Sequence, residues 1–308
     1  MEESSAFAPI VLFAYNRPEH TRQLLESLNR NPEAANSDLI VFCDGPKEGV
    51  SPEMLERIKK VRETVRNTAR CKSLTLHVSE KNRGLAPSVI AGMNAVFETY
   101  DRAIVLEDDL LLSEHFLRYM NDALEVYAEN PKAACISGYV EPHWKPLPET
   151  FFLRGADCWG WATWKRAWAV FEPDGQRLLD RLMESGEAYH LCFDGNYDYV
   201  AMLQDQIAGK NSSWAVRWLV SAYLADMYCL YPNIPLALNN GLDGSGTHCG
   251  AQKKTDRHLA ARSVAVMDQP VQESAEGYQA YCHYFHLTGS TGFLARVRRK
   301  LFALRLFK

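Results

Sequence analysis

The sequence predicts an α/β fold in which a mostly parallel β-sheet is flanked by helices. The first half of the 308-residue chain alternates between short strand-like runs and segments with apolar residues at helical spacing. Most of the strand-like runs end at turn-forming or polar residues. Strands and helices that alternate at these lengths form parallel sheets covered on both faces.

The predicted elements can be placed one after another along the first half. The strands are expected at residues 9–15, 38–43, 73–78 and 103–106. The helices are expected after Asn16, over residues 52–67, from residue 85 to about 100, and from Ser113 to about 129. Asn and Ser are residue types that cap helices, so we interpret Asn16 and Ser113 as N-caps.

Three consecutive carboxylates, those of Glu107, Asp108 and Asp109, follow the fourth strand directly. Like charges about 4 Å apart repel by roughly 1 to 4 kcal/mol per pair at effective dielectric constants of about 80 to 20. A divalent cation offsets this repulsion, because Mg²⁺ and Mn²⁺ take carboxylate oxygens and can also hold substrate phosphates. A solvated acidic turn is the alternative, but the apolar strand before the triplet favours a metal site.

Charged residues also follow the other strands. Arg17, Asp44 and Arg83 come after the first, second and third strands respectively. Ligands of such sheets bind outside the carboxyl ends of the strands, so we expect these residues and the triplet to converge on one rim. Two alternatives stay open: Arg17 as a surface residue at a helix start, and Asp44 as a turn residue bonded to its own backbone.

Composition and charge exclude some classes of function. The chain is 47% hydrophobic and 23% charged, which is ordinary for a soluble globular protein, and its net charge of −4 argues against nucleic acid as the main partner. Eight cysteines are scattered without a C-x-x-C pair, and we expect a reducing cytosol. We expect no signal peptide and no membrane span of about 20 apolar residues.

The second half is rich in Trp, Gly and Pro. Five of the seven tryptophans lie within residues 144–168. Trp161, Trp164 and Trp168 have helical spacing, so we expect at least two of them in the core. No linker or repeat is evident, and we expect a single domain over residues 1–292.

Six short stretches occur in an order that one enzyme family shares. They lie at residues 14–18, 43–46, 104–110, 155–164, 203–206 and 243–249. In these stretches the chain resembles glycosyltransferases of the GT-A (Rossmann-like) fold. The resemblance is closest to the branch of N-acetylglucosaminyltransferase I, which initiates hybrid and complex N-glycans, and to bacterial polysaccharide and lipopolysaccharide sugar transferases. It implies a nucleotide-binding half at about 8–135 and a Trp-rich acceptor-side half at about 136–292.

The resemblance also implies roles for the residues on the rim. Asp44 would accept hydrogen bonds from the nucleotide base, while Arg17 and Arg83 would contact the nucleotide sugar. Asp109 would bind the Mn²⁺ or Mg²⁺ ion. Asp108 would contact the ribose or the waters of the metal, and Glu107 the sugar or the local structure.

Sugar transfer needs a general base for the acceptor hydroxyl, and the resemblance implies Asp205. Apolar neighbours would raise its pKa and make it a better base. Asp194 and Asp198 are rivals, for which helix capping is the stronger interpretation.

Four further residues belong to the predicted site. His248, in a glycine-rich loop, would bind the metal or the diphosphate, and Arg217 would hold the diphosphate or orient Asp205. Asp157 and Trp159 are acceptor candidates, since an indole face stacks on sugar rings. A loop role for His248 stays open.

These observations lead to one hypothesis and two alternatives. The hypothesis is a metal-dependent, inverting transferase that moves a sugar from a nucleotide diphosphate sugar, UDP-linked, to a glycan or glycolipid acceptor in surface polysaccharide or lipopolysaccharide synthesis. The first alternative is a sugar nucleotidyltransferase, although residues 15–18 lack the glycine-rich loop that such enzymes have after strand one. The second is a catalytically silent glycan-binding protein.

The C-terminal segment, residues 293–308, differs from the rest of the chain. It contains six basic residues and no acids, with apolar residues at helical intervals. This pattern predicts a basic amphipathic helix that lies on an anionic membrane, where each cation contributes about 1 kcal/mol. A helix docked on the protein's own core is the alternative. We therefore expect a cytoplasmic protein bound peripherally to the inner face of the cytoplasmic membrane.

We expect deletion of residues 293–308 to release the protein from anionic vesicles and to spare activity on a small soluble acceptor. The deletion removes the six cations, and every proposed site residue lies upstream. Vesicle sedimentation at low and high salt measures the binding, which salt should weaken because it screens exposed charges. Unfolding of the truncated protein, with no vesicle binding by the intact one, would identify a core helix instead.

Overall fold

The computed structural model describes residues 7–241 and 258–288 of the chain, which form a β-sheet structure with flanking helices. The strands are β1 Ile10–Ala14, β2 Asp38–Cys43, β3 Ser73–Val78, β4 Arg102–Glu107, β5 Leu110–Leu112, β6 Ala133–Ser137, β7 Thr150–Arg154, β8 Trp161–Trp164, β9 Tyr228–Pro232 and β10 Ala237–Asn239. The helices are α1 Pro18–Leu28, α2 Pro52–Thr68, α3 Leu85–Val96, α4 Phe116–Val126, α5 Lys165–Trp168, α6 Gly175–Ser185, α7 Ala188–Leu191, α8 Tyr199–Ile207, α9 Trp214–Leu224 and α10 Ala275–Thr288.

Eight strands form one sheet in the order β3-β2-β1-β4-β8-β6-β9-β7. Strands β8 and β7 run antiparallel to their neighbours, and the other six strands are parallel to one another. The structure thus confirms the α/β class with a mostly parallel sheet. Strands β6 to β9 lie beyond residue 130, where we predicted no strand, so both halves of the chain contribute to the same sheet.

The first half matches the predicted elements closely, with two corrections at helix starts. Helix α1 has Arg17, not Asn16, at its N-cap position, and the amide of Asn16 instead donates to Met54 Sδ. Helix α4 begins after His115 rather than after Ser113. Strand β5, which pairs antiparallel with β10, lies between the acidic triplet and this helix. The Ser113 hydroxyl donates to the carbonyl of Ala260 and accepts from the N–H of His115.

Strand β1 lies inside the sheet and is buried along its whole length. Helix α3 packs closely on this part of the sheet at Gly92. A Cβ atom at Gly92 would lie 2.6 Å from the ring of Phe13, closer than carbon atoms approach, so the glycine permits the contact. The N-terminus of α3 is thereby held near the carboxyl ends of β1 and β2.

The tryptophans of the second half form part of the core. Trp161, Trp164 and Trp168 are all buried, as the prediction of at least two core residues required. The helical spacing was misleading, because Trp161 and Trp164 lie in β8 and only Trp168 lies in a helix. Trp161 and Trp168 also pack against Trp214 and Trp218 of α9.

Within the residues described, no helix has the length and apolar character needed to cross a bilayer.

A hydrogen-bonded network joins α7 to the segment that precedes α10. His190 Nε2 lies 2.9 Å from a carboxylate oxygen of Glu273, and its Nδ1 lies 2.8 Å from the Tyr223 hydroxyl. The bond to Glu273 raises the pKa of His190 above its ordinary value, although burial opposes the rise. The folded state therefore favours the charged imidazole.

We expect His190→Gln to lower the free energy of unfolding more at about pH 5.5 than at about pH 9. A raised pKa in the folded state means that the stabilisation is complete below the unfolded pKa of about 6.5 and is lost as the pH rises through the folded value. Urea unfolding at several pH values measures the difference. The exposed His258→Gln is the control, and an equal loss at every pH for His190→Gln would contradict the prediction.

Candidate active site

The carboxyl ends of β2, β1 and β4 lie side by side in the sheet. Strand β1 pairs in parallel with β2 on one side and with β4 on the other. The strand order 3-2-1-4 reverses direction here, which is the position where open α/β sheets bind ligands. The pairing brings the segments after Ala14, Cys43 and Glu107 to one rim.

The acidic triplet meets Arg17 at this rim. Arg17 Nη1 lies 2.9 Å from Asp109 Oδ2, and the two side chains are only 11% and 17% exposed. The backbone N–H of Tyr15 donates to Asp108 Oδ2 at 3.2 Å. Trp214, at the start of α9, donates a hydrogen bond to Glu107. Each carboxylate of the triplet therefore has its own partner.

One guanidinium does not balance three carboxylates. Burial raises the pKa of Glu107 to about 8, and the charges of Asp109 and Asp108 add to the rise. Burial also raises the pKa of Asp108 to about 7, with a further contribution from Asp109, while Arg17 opposes the rise. The triplet thus retains an affinity for further positive charge.

The backbone of Gly241 covers the ion pair. A Cβ atom at this position would lie 2.5 Å from Asp109 Oδ2 and 2.8 Å from Arg17 Nη1. The N–H of Asn240 donates to the Asp109 carbonyl at 2.6 Å, so the chain after β10 is anchored to the triplet. A side chain at this position would displace the end of Arg17 or of Asp109 from the geometry seen here.

The carboxylates at the rim fit a hard divalent ion that takes its remaining ligands from the substrate. In the part of the chain that the structure describes, no three His, Cys, Asp or Glu side chains form a ready group of metal ligands. Mg²⁺ is commonly held by one or two carboxylates together with substrate phosphates, so Asp109 satisfies that requirement. His248, the second predicted ligand, lies outside the described residues.

Asp44 is fully engaged in holding a neighbouring loop. Its Oδ1 accepts from the N–H groups of Gly45 and Arg83, and its Oδ2 accepts from the Asn82 amide and the Gly84 N–H. A carboxylate has about four acceptor sites, and these four donors occupy them in the structure. The predicted contact with a nucleotide base therefore requires that one of these donors be displaced, and in the structure Asp44 braces the loop that opens α3.

A small cavity of about 130 Å³ lies beside this loop. Phe42, Ala91 and Gly92 contribute to its apolar walls, and Asp44 and Arg83 also line it. The hydroxyl of Ser88, another lining residue, is buried without a hydrogen-bond partner. The cavity therefore combines apolar walls, suited to a flat ring, with a polar group that is free to bond to it.

Asp205 lies on helix α8 and not in a loop. Its side chain is 49% exposed, and Oδ1 lies 2.9 Å from Lys210 Nζ. The apolar surroundings that we expected to raise its pKa are therefore missing. Of its rivals, Asp198 caps α8 through Ala201 N, as predicted, whereas Asp194 accepts from the Tyr278 hydroxyl and caps no helix.

Arg217 is only 8% exposed and lines a groove of about 500 Å³. It donates to the carbonyls of Pro173 and Ser213, and no bond to Asp205 is formed. Burial lowers its pKa. Lys210 and the first turn of α3, at Ala86 and Pro87, line the same groove.

Asp157, an acceptor candidate, lies in the segment between β7 and β8. It accepts from Cys158 N at 2.6 Å and from the Ser137 hydroxyl at 3.3 Å, and burial raises its pKa. Trp159 is partly buried, with its ring edge against Tyr139. Asp157 is thus anchored by the protein itself, and Trp159 keeps part of its surface accessible.

The structure brings Arg17 and the triplet into direct contact, and it brings Asp44 and Arg83 to one cavity. It gives no direct contact between Asp205 and any residue of the triplet. Sequence reasoning missed Trp214 and Gly241. A tryptophan at a helix start and a glycine after a short strand carry no signal for contact with residues more than a hundred positions away.

Comparisons with known proteins leave the function open. No family model matches the chain, and no curated protein matches it either. Among solved structures, S. aureus TarS 1–349 is similar at 14% identity and a TM-score of 0.32, over 51% of this chain and 47% of that one. A protein described as a glucose-1-phosphate thymidylyltransferase from Bacillus anthracis is similar at 14% identity and a TM-score of 0.25, over 42% of this chain and 53% of that one.

The chain thus spans about half the length of each of these two structures. Neither structure is described as an N-acetylglucosaminyltransferase. An identity of 14% with TM-scores of 0.32 and 0.25 assigns no activity. The function is therefore inferred from the residues of the site.

We expect Asp44→Asn to lower the free energy of unfolding by about 1–3 kcal/mol, the cost of leaving buried donors unpaired. Whichever oxygen becomes an amide, two donors lose their acceptor. Denaturant unfolding measures the loss, with the exposed Asp101→Asn as control. Unchanged stability together with weakened nucleotide binding would restore the base contact that the resemblance implies.

Proposed function

We propose that this chain is a metal-dependent, inverting glycosyltransferase of the GT-A type. Its donor is a nucleotide diphosphate sugar, UDP-linked, and its acceptor is a hydroxyl of a glycan in surface polysaccharide or lipopolysaccharide synthesis. The observation that carries the proposal is the triplet of carboxylates beside Arg17 at the switch point of the sheet. Such a site suits a ligand that brings both a cation and phosphates.

The donor is proposed to lie along the rim. Its base enters the cavity lined by Arg83 and Ser88, where the apolar walls accept a planar ring. Asp108 and Glu107 bond the ribose and the transferred sugar. Arg17 and Arg217 are cations within reach of a diphosphate, and Arg217 has only backbone carbonyls as the bonding partners described for it.

Asp109 is the proposed ligand for Mg²⁺ or Mn²⁺, with His248 as a second. When bound, the ion neutralises the charge that develops on the departing diphosphate. Asp109 keeps Oδ1 free of the bond to Arg17. Oxygens of the donor's diphosphate would supply further ligands.

Asp205 is proposed as the general base that takes the proton of the acceptor hydroxyl. Attack by that hydroxyl on the face opposite the diphosphate inverts the anomeric carbon. Lys210 occupies Asp205 Oδ1, so either Lys210 releases that oxygen or the acceptor hydroxyl donates to Oδ2. Asp157 and Trp159 would bind the acceptor through hydrogen bonds and ring stacking.

The alternative of a sugar nucleotidyltransferase needs a glycine-rich loop with cations after β1. That loop holds Tyr15, Asn16, Arg17 and Pro18 and contains no glycine. A silent glycan-binding protein has no need for three adjacent carboxylates, whose burial and charge raise the pKa of Glu107 and of Asp108. Both observations favour the transferase.

We expect Asp205→Asn to bind UDP normally but to transfer sugar about 100-fold or more slowly, the scale of a lost general base. A screen of nucleotide sugars, read as release of nucleotide diphosphate, first identifies the donor. Asp198→Asn is the matched control on the same helix, and Asp109→Asn should instead abolish the metal-dependent binding. Near-normal transfer by Asp205→Asn would move the base elsewhere, and no release from any donor would contradict the transferase.

A further inference from the structure

The ion pair of Arg17 and Asp109 has an unusual setting for a donor-binding site. The guanidinium of Arg17 lies 2.9 Å from Asp109, the carboxylate that is proposed to bind the metal. Both side chains are largely buried, and the backbone of Gly241 lies over them. Solvent screening is therefore weak, so the charge on Arg17 acts strongly on anything that approaches Asp109.

We propose that Arg17 is a latch that makes binding of the divalent ion at Asp109 depend on the donor's diphosphate. This inference rests on the proposed function. Arg17 competes with an added cation for Asp109 in the nucleotide-free protein. When a diphosphate is bound, the guanidinium turns to the phosphates and frees Asp109 Oδ2.

The electrostatic reason lies in the short distance between Arg17 and Asp109. A dication on either oxygen of Asp109 would stand within a few ångströms of the guanidinium, and two positive charges in a poorly screened site repel strongly. A diphosphate removes the conflict, because its oxygens accept from Arg17 and from the cation at once. Metal and diphosphate should therefore each strengthen the binding of the other.

The backbone around Arg17 is fixed by hydrogen bonds in which its side chain takes no part. The carbonyl of Arg17 accepts from the N–H of Thr21 at 2.9 Å in the first turn of α1. The carbonyl of Asn16 accepts from Arg57 Nε at 3.1 Å. The long side chain can thus move between Asp109 and a phosphate without disturbing the helix, and its replacement should leave the fold intact.

The test is the binding of Mn²⁺ to purified full-length protein, read from the electron paramagnetic resonance signal of free Mn²⁺, with and without UDP. We expect Arg17→Gln to bind Mn²⁺ alone about tenfold more tightly than the wild type, because the competing cation is gone. The effect of UDP on Mn²⁺ affinity should fall about fivefold or more. Arg17→Lys keeps the charge and should keep the weak binding of Mn²⁺ alone.

Arg22→Gln is the matched control. It removes one positive charge from the same helix, but Arg22 is exposed and pairs with Glu19. It should behave as the wild type. Circular dichroism checks the fold of each variant, and Arg17→Met provides a second neutral variant that keeps the aliphatic stem.

The outcomes separate the latch from the proposed function. If UDP strengthens Mn²⁺ binding in the wild type but the neutral variants bind Mn²⁺ alone no better, the latch is wrong and the metal-dependent transferase stands. If the wild type binds no Mn²⁺ with or without UDP, the metal assignment fails, and the latch fails with it. Tighter binding of Mn²⁺ alone by the Arg17→Gln and Arg17→Met variants only, and not by Arg22→Gln, supports the latch.

Discussion

The end of strand β4 concentrates negative charge that the surrounding residues balance only in part. Arg17 pairs with Asp109, while burial and mutual repulsion raise the pKa values of Glu107 and Asp108 to about 8 and about 7. The parallel pairing of β1 with β4 creates this arrangement, because it brings the segment after β1, which contains Arg17, beside the triplet at the end of β4. The other contacts of the rim are organised around this charge.

The neighbouring elements hold the charged groups in place by packing. Trp214 reaches Glu107 from helix α9, and its indole packs against Trp161 and Trp168 at centroid distances of 5.4 and 6.4 Å. Gly241 closes the opposite side, where a side chain has no room. Rigid packing of this kind keeps the carboxylates close together despite their repulsion, which a flexible acidic turn would relieve by separating them.

Two carboxylates, those of Asp205 and Asp44, have surroundings that the sequence did not predict. Asp205 follows apolar residues in the sequence, yet on helix α8 its side chain points to solvent and to Lys210. Asp44 follows a strand, as a base-binding residue would, yet it accepts hydrogen bonds from Gly45 and from residues 82–84. For Asp44 the partners come mostly from a loop distant in sequence, whereas for Asp205 the helical geometry decides that the side chain meets Lys210 and solvent.

The sequence by itself determined the α/β class, the first four strands and the convergence of Arg17 with the triplet. These features follow from local hydrophobic periodicity and from the rule that parallel strands share one carboxyl edge. Tertiary structure alone decided that β6 to β9 extend the same sheet, that Trp214 and Gly241 contact the triplet, and that Asp44 braces a loop. Those contacts join residues far apart in the chain, and they depend on side-chain packing, which local patterns do not encode.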